Sequence, residues 1–598
     1  MIANTPDSGL RSLVSPDGVG PVWCDGREVL RRVFVTVRDR QWREIAATHW
    51  KSSIDEAQGT ATLSARHVSD YVGFQWEGRL QVSDDRREFR FTLEGEALRD
   101  MEVCRLGLVV LHPVESMIGS RVAAIGPRAG HQLTVAGLIS PQPISNGIPV
   151  AMTEPFSKLL IERSDFGRLE LRFGGDLFEL EDQRNWGDAS FKSYCTPLRL
   201  GFPRAVKAGA AIVQSVEGSF APASARETSR DLRFVRTRTG SARGLQLETR
   251  GTGNGEHRVV TPSRVFPCIG REWSFPSTAL PPQNEQPAWH HIHLDVQGRE
   301  GVARLRSLLK SATTTKIEVG VEGRDEHPQV ADLVSLVCSH RERISRLLIY
   351  GPLTSTPLAV DLGHWRRHID ASRDQWNAPL FAATRGYFVE FNRGIPLEAP
   401  VSGIAFPLTA TVHSDDAETV TDNLVAIGDI ADSARHLTGL GEIAVAPLAL
   451  YYPRSIAPRR FSGELVKPWL AASLIHAALA RVGSVTLADD VLEAVALSGS
   501  DMLRFIGSLV KCAGFEVKPL GLTLPLGVHA GALKSMDRVF SRILVINLNS
   551  RPAVINLAEA GLRVETATDA VMGASFRVNN DEVGIPEFGI TWISGKTR

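Results

Sequence analysis

The sequence predicts a multidomain α/β plus β fold: an N-terminal β-sandwich over residues 1–225, a central TIM-like (β/α)8 barrel over 226–522, and a small C-terminal β-sandwich over 523–598. Three observations lead there. At 598 residues the chain exceeds what one hydrophobic core supports. Its first third alternates apolar and polar residues with period two, and its middle alternates short apolar runs with helical periodicity.

In the N-terminal region Gly, Pro and Asp supply turns between strands. Along Arg87–Glu94 the residues Phe89, Phe91 and Leu93 share one face, with Glu88, Arg90 and Thr92 on the other. Along Arg168–Phe173 the pattern repeats, with Leu169, Leu171 and Phe173 opposed to Arg168, Glu170 and Arg172. Such alternation marks antiparallel strands wet on one side.

After polar stretches at Ser224–Arg230 and Arg236–Arg243, eight strands are expected: Val265–Ile269, His291–Val296, Lys316–Val321, Arg346–Tyr350, Tyr387–Asn392, Gly403–Ala410, Ile443–Leu450 and Ser484–Ala488. Helical patterns lie between several of them. One carries Val302, Leu305, Leu308, Leu309 and Ala312, and another Val330, Leu333, Val334 and Val337. A third opens with Pro468 in its first turn and runs through Leu479; a fourth carries Met502, Phe505, Ile506, Leu509 and Val510. Eight strand–helix alternations over roughly 260 residues have the rhythm of a (β/α)8 barrel. An open doubly wound sheet is the competing arrangement, but no GxGxxG follows a strand to mark a dinucleotide site. Strands return at Ile543–Leu548, Ala553–Leu557, Leu562–Thr566 and Gly589–Ile593.

Lys+Arg and Asp+Glu both total 67, giving no electrostatic reason to expect nucleic acid or an anionic membrane as partner. The basic run Arg341–Arg346 reads as a solvated helix face. No secretory signal opens the chain and no apolar window of about 18 residues exists, so a cytoplasmic protein is expected. The six cysteines, Cys24, Cys104, Cys195, Cys268, Cys338 and Cys512, form no CxxC pair and read as reduced core thiols. The expected partner is a small molecule, and a homo-oligomer stays open.

A barrel places its active site at the carboxyl ends of its strands, which directs attention to the residues there. In YFVEFNRG (Tyr387–Gly394) alternation puts Phe388, Glu390 and Asn392 on one face, offering a general base with an amide neighbour. The bland alternative is Glu390 salt-bridged to Arg385 or Arg393. In TVHSDD (Thr411–Asp416) His413 is a proton shuttle with Asp415 to orient it, while Asp416 reads as the cap of the helix that follows. Asp489 and Asp490 follow the eighth strand as site carboxylates or caps, and Arg454 can hold a substrate carboxylate or hydroxyl. His291 and His293 form an HxH with Asp295 on the same face. A metal site is weighed there, but no later His–Lys–His–Asp series supports it, and packed, hydrogen-bonded histidines are the simpler reading. No metal and no cofactor is therefore expected. In the sandwich, Phe178–Tyr194 gathers Asp182, Arg184, Asn185, Trp186 and Lys192. That mixture suits either a polyhydroxylated ligand or a polar interface.

The run EDQRNWGDASFKSYCTPL (Glu181–Leu198) resembles the signature of the D-apionate lactonase family. RLGLVVLHP at Arg105–Pro113, YFVEFNRGIP at Tyr387–Pro396 and FPLTATVHSDD at Phe406–Asp416 agree with it in order. The resemblance implies a bacterial enzyme of apiose catabolism that opens D-apionolactone to D-apionate, with a sandwich, a barrel and a C-terminal β domain. It implies site candidates only at the matching positions. The region after the seventh strand and the ending SVTLADD depart from the family pattern, which leaves open a paralogue acting on another lactone.

The residues fit ester hydrolysis in which Glu390 or the His413–Asp415 pair activates water, and Asn392 with a nearby Arg stabilises the oxyanion. No GxSxG elbow suggests a serine nucleophile. A glycoside hydrolase is the first alternative. It needs a second carboxylate ~5 Å away or further, yet the seventh strand ends in Tyr451–Tyr452–Pro453 and leaves Asp489 as the spare acid. A non-catalytic sugar-binding protein is the second.

Overall fold

A computed structural model describes the chain from Val14 to Thr597 apart from several internal stretches, the longest being 224–263, 273–288 and 452–462. The chain divides into two compact units. One comprises the described parts of Met1–Arg184 and Ala189–Arg233, and the other those of Phe234–Arg454 and Arg459–Arg598, together with the short segment Asn185–Asp188. No helix among the described residues is long and apolar enough to cross a membrane.

The first unit is built from antiparallel sheets, with a nine-stranded and a seven-stranded sheet among the described residues. The strands Glu88–Ala97 and Gly167–Gly174 bury Phe89, Phe91 and Leu93, and Leu169, Leu171 and Phe173, as their alternation requires. Each such side chain contributes about 1.5–3 kcal/mol on full burial. The sheets are tied through Gln214, whose Oε1 accepts from Leu108 N at 2.8 Å. The Gln214 side chain lies where a Cβ on Gly107 would stand, 2.2 Å away, and Gly107 sits at φ +125°, a region that favours glycine.

The second unit is a closed barrel of eight parallel strands: β1 (Cys268–Glu272), β2 (His291–Asp295), β3 (Lys316–Glu322), β4 (Ile344–Tyr350), β5 (Leu380–Ala383), β6 (Gly403–Thr409), β7 (Glu442–Ala449) and β8 (Ser484–Leu487). Its helices are α1 (Gly298–Lys310), α2 (Val330–Ser339), α3 (Ala359–Asp370), α4 (Phe388–Arg393), α5 (Ala417–Asn423), α6 (Ala426–Thr438), α7 (Gly463–Leu479), α8 (Asp489–Ala496) and α9 (Asp501–Val510). The interior has two halves. Leu348, Tyr350, Phe381, Ala383, Ala405, Ala444 and Ala446 form an apolar cluster on β4–β7, where alanines make room for the larger rings. The half toward β1–β3 is charged, as described below.

Four expectations are corrected. The fifth strand is Leu380–Ala383, and Tyr387–Asn392 falls largely in helix α4. The spacing that matters there is three: Phe388 and Phe391 both pack on Phe406, with ring centroids 5.6 and 6.3 Å away. Glu390 and Asn392 therefore do not share a strand face. The first strand lies three residues later than Val265–Ile269 and ends in Glu272. Pro468 lies inside α7, five residues past its start, rather than in the first turn. Arg346 is on β4 with its side chain 13% exposed, so it is no solvated helix residue.

The C-terminal strands form a five-stranded antiparallel sheet and a three-stranded one. They share a core that includes Val528, Val545, Leu557, Val583 and Ile585. His529 of this region meets His476 of α7 through ring nitrogens 3.0 Å apart.

Candidate active site at the carboxyl end of the barrel

The loop after β6 carries His413. Thr409 and Thr411 both donate to Leu450 O, at 2.8 and 2.6 Å, tying the ends of β6 and β7 together just before it. Asp188 accepts from His413 Nδ1, and its other oxygen accepts from Asn423 Nδ2 at 3.1 Å. The carboxylate holds a proton on Nδ1, which makes Nε2 the basic nitrogen. Trp186 stands edge-on to the imidazole, with centroids 6.0 Å apart and planes at 72°. Gly187 between them is at φ +102°, a left-handed turn that lets Trp186 and Asp188 both reach His413. Asn185, in the same short segment, accepts from Asn392 Nδ2 at 2.8 Å.

His413 thus has Asp188 as a partner; Asp415, expected in that role, and Arg454 lie outside the described residues. Asp416 is the cap it was expected to be, accepting from Thr419 N at 2.8 Å. Glu390 is engaged by Arg393 at 3.0 Å, while burial pushes its carboxyl up from the ordinary range. Arg385, the other partner considered for it, goes to Asp295 instead, at 3.1 Å. Asn392 is buried, and its Nδ2 donates to Asn185. Asp490 accepts from Leu450 N at 3.3 Å and Tyr451 N at 2.8 Å, tying the end of β7 to α8, whereas Asp489 opens α8 with an oxygen 3.8 Å from Arg271.

Asp182 and Arg184 are paired with each other. Arg184 is wholly buried and grips Asp182 in a bidentate pair, Nε to Oδ1 at 2.9 Å and Nη2 to Oδ2 at 2.7 Å. Its Nη1 donates to Gly137 O at 2.8 Å. With no surface left for a ligand, the pair shapes the run that leads into Asn185–Asp188. Lys192 is likewise turned onto its own sheet, donating to Gln183 at 3.0 Å beside Glu181 at 3.6 Å.

A second group of charges fills the interior across β1–β4, and the sequence reading passed over most of it. In the strand register Glu272 pairs with His293, His293 with Glu318, and Glu318 with Arg346. His293 donates from Nδ1 to Glu318 at 2.9 Å, and its Nε2 lies 3.3 Å from Asp295. Arg346 Nε lies 3.0 Å from the second Glu318 oxygen. Thr486 donates to Glu318 at 3.1 Å and meets His291 Nε2 at 2.8 Å, so both histidines are packed and hydrogen-bonded. Arg385 stacks over Tyr350, 4.0 Å from the ring centre. Gly320 makes the room: a Cβ there would come within 2.3 Å of Asp295 and 3.0 Å of His293. Among the described residues, no group of three or more His, Cys, Asp or Glu side chains is arranged to hold a metal ion.

Electrostatics follow from these contacts. Burial alone would keep His293 neutral, but its bonds to Asp295 and Glu318 prevail and raise it to about 10. Burial likewise opposes ionisation of Glu318, yet His291, His293 and Arg346 hold it far below the usual carboxylate range. Asp295, whose side chain is 40% exposed, is brought down to about 2 by His293 and Arg385, which outweigh its partial desolvation. Glu272 goes the other way. Burial, reinforced by Asp295, Asp489 and Asp490, outweighs His293 and lifts it to about 7.

A closed parallel barrel with ionisable side chains gathered at its carboxyl end, joined to β-sheet domains, defines a multidomain (β/α)8-barrel protein. The sequence matches the N-terminal domain model of D-apionate lactonase over residues 9–222 and its TIM barrel domain model over residues 286–455. The chain belongs to the D-apionate lactonase family. A D-apionate lactonase from Brucella anthropi is 30% identical over 206 residues, which cover 34% of this chain and 32% of the relative. The match thus spans about a third of that relative's length. Among solved structures, a GH30 endoxylanase from Clostridium papyrosolvens is similar at a TM-score of 0.36 and 8% identity, covering 57% of this chain and 98% of that one. A 4-O-α-L-rhamnosyl-β-D-glucuronidase from Fusarium oxysporum gives 0.38 and 10%, covering 57% and 99%. At these scores neither likeness bears on the site.

Proposed function

We propose that the chain is a cytoplasmic carboxylic ester hydrolase of apiose catabolism that opens a sugar-acid lactone, D-apionolactone to D-apionate, by general-base activation of water. The observation that carries this reading is the His413–Asp188–Asn423 chain at the end of β6. Its carboxylate comes from the Glu181–Leu198 run that resembles the family signature. His413 Nε2 takes a proton from water as the oxygen attacks the lactone carbonyl. Asp188 keeps the imidazole in the required tautomer and stabilises the imidazolium that forms. The lactone ring packs beside Trp186, whose apolar face suits the C–H side of a sugar ring.

The test is a pH-indicator screen of aldonolactones, D-apionolactone included, with and without EDTA, using wild type, His413→Ala and Asp188→Asn. Chelator-insensitive acid release is expected from the wild type, with kcat lowered by about a hundredfold or more in both variants. Turnover of aryl glycosides alone would overturn the reading, and wild-type turnover in both variants would remove His413 as the base.

A further inference from the structure

We propose that Glu272 is a second catalytic group of this site, the acid that protonates the departing ring oxygen of the lactone. This rests on the lactonase reading above. The geometry is that of one row across four adjacent strands. Glu272, His293, Glu318 and Arg346 occupy successive register positions on β1, β2, β3 and β4, with formal charges that alternate along the row. Glu318 is 0% exposed and engaged on both oxygens by Arg346, His293 and Thr486. Both ring nitrogens of His293 face carboxylates, which accept only, so the ring must donate at both and is an imidazolium. The row is therefore a rigid ionic support whose mouth-side member is Glu272, at the carboxyl end of β1.

Glu272 differs from the rest of the row in its surroundings. Its register partner on β2 is His293, Asp295 follows two residues on along the same face of β2, and Asp489 and Asp490 open α8 beside the neighbouring Arg271. The Arg271 beside it in sequence is turned to Asp489. Three anions against one cation, on a half-buried side chain, favour a carboxyl that keeps its proton near neutral pH and releases it when a stronger base forms nearby. Lactone opening creates such a base. Water adds to the carbonyl carbon and gives its proton to His413. The bond from the acyl carbon to the ring oxygen then breaks, its electron pair stays on that oxygen, and Glu272 supplies the proton that makes it a hydroxyl. The product acid ionises, His413 returns its proton to solvent, and solvent reprotonates Glu272.

The test compares wild type, Glu272→Gln and Glu272→Asp on an aldonolactone, whose alkoxide leaving group needs a proton, and on a 4-nitrophenyl ester, whose leaving group does not. For wild type, kcat on the lactone should fall as pH rises through about 7. Glu272→Gln should lower kcat on the lactone by about a hundredfold with KM little changed. It should also flatten the alkaline limb and spare the activated ester, and Glu272→Asp should restore part of the lactone activity. Equal losses on both substrates, or an unchanged alkaline limb, would overturn the assignment. If the wild type opens no lactone, the lactonase reading itself fails. Infrared titration then decides the rest: a protonated-carboxyl band that disappears near neutral pH in wild type and is missing in Glu272→Gln keeps Glu272 as the proton holder, and its absence in wild type removes it.

Discussion

Replacing Glu318 by Gln should be among the most damaging single-atom-scale changes available to the barrel. The side chain is wholly buried, accepts from Thr486 and His293, and lies 3.0 Å from Arg346 Nε. Losing its charge leaves two buried cations facing an amide. Breaking a buried ion pair from one side costs about 3–5 kcal/mol. The His293 shift gives a similar figure: from 6.5 to about 10, at 1.36 kcal/mol per pH unit, is roughly 5 kcal/mol shared between Glu318 and Asp295. The low values of Glu318 and Asp295 describe the same contacts and do not add to it. The sign is fixed by linkage. Because the folded value of His293 is raised, its stabilisation is complete below about 6.5 and fades as pH rises toward 10. Urea unfolding followed by tryptophan fluorescence at pH 6 and pH 9.5 should show Glu318→Gln less stable by several kcal/mol at the lower pH and by much less at the higher. A loss below about 1 kcal/mol at pH 6 would refute the ionic row as a source of stability.

Two further outcomes follow from the geometry. Gly320→Ala puts a Cβ 2.3 Å from Asp295 and 2.9 Å from Tyr350, so it should cost about 1–3 kcal/mol in urea unfolding and displace the Asp295 carboxylate; an unchanged midpoint would contradict that packing. Asp182→Asn strips the buried Arg184 of its counter-charge, and limited proteolysis should then cut the Glu181–Leu198 run far faster than in wild type, with equal rates counting against a structural role for the pair.

The barrel could be read from the sequence because parallel strands buried on both faces are short apolar runs, and seven of the eight fall where such runs occur. The fifth could not. Tyr387, Phe388, Val389 and Phe391 are strand-favouring residues, and only the three-residue spacing of Phe388 and Phe391 signals a helix. Glu272 escaped for a related reason. An apolar run at Val265–Ile269 ends before it, whereas β1 extends through the polar residues Arg271 and Glu272. Glu318 lies in the middle of an expected strand, and nothing local distinguishes a carboxylate pointing into a barrel from one pointing out. Asp188 is 225 residues from His413, so the nearer Asp415 is the partner that local reasoning selects. Contacts of that span are written in the fold and not in any window of sequence.

The row from Glu272 to Arg346 also bears on how the barrel assembles. In parallel strands made of similar aliphatic residues, neighbouring alignments bury much the same area, and hydrophobicity discriminates poorly among them. A slip of two residues between β2 and β3 would set Glu318 opposite Asp295 or opposite His291, giving a buried anion pair in one case and stranding His293 in the other. The ionic row thus works as a key for alignment, penalising misthreaded barrels more than it rewards the correct one. Chains in which it is neutralised in matched pairs should still collapse, but into barrels of mixed stagger.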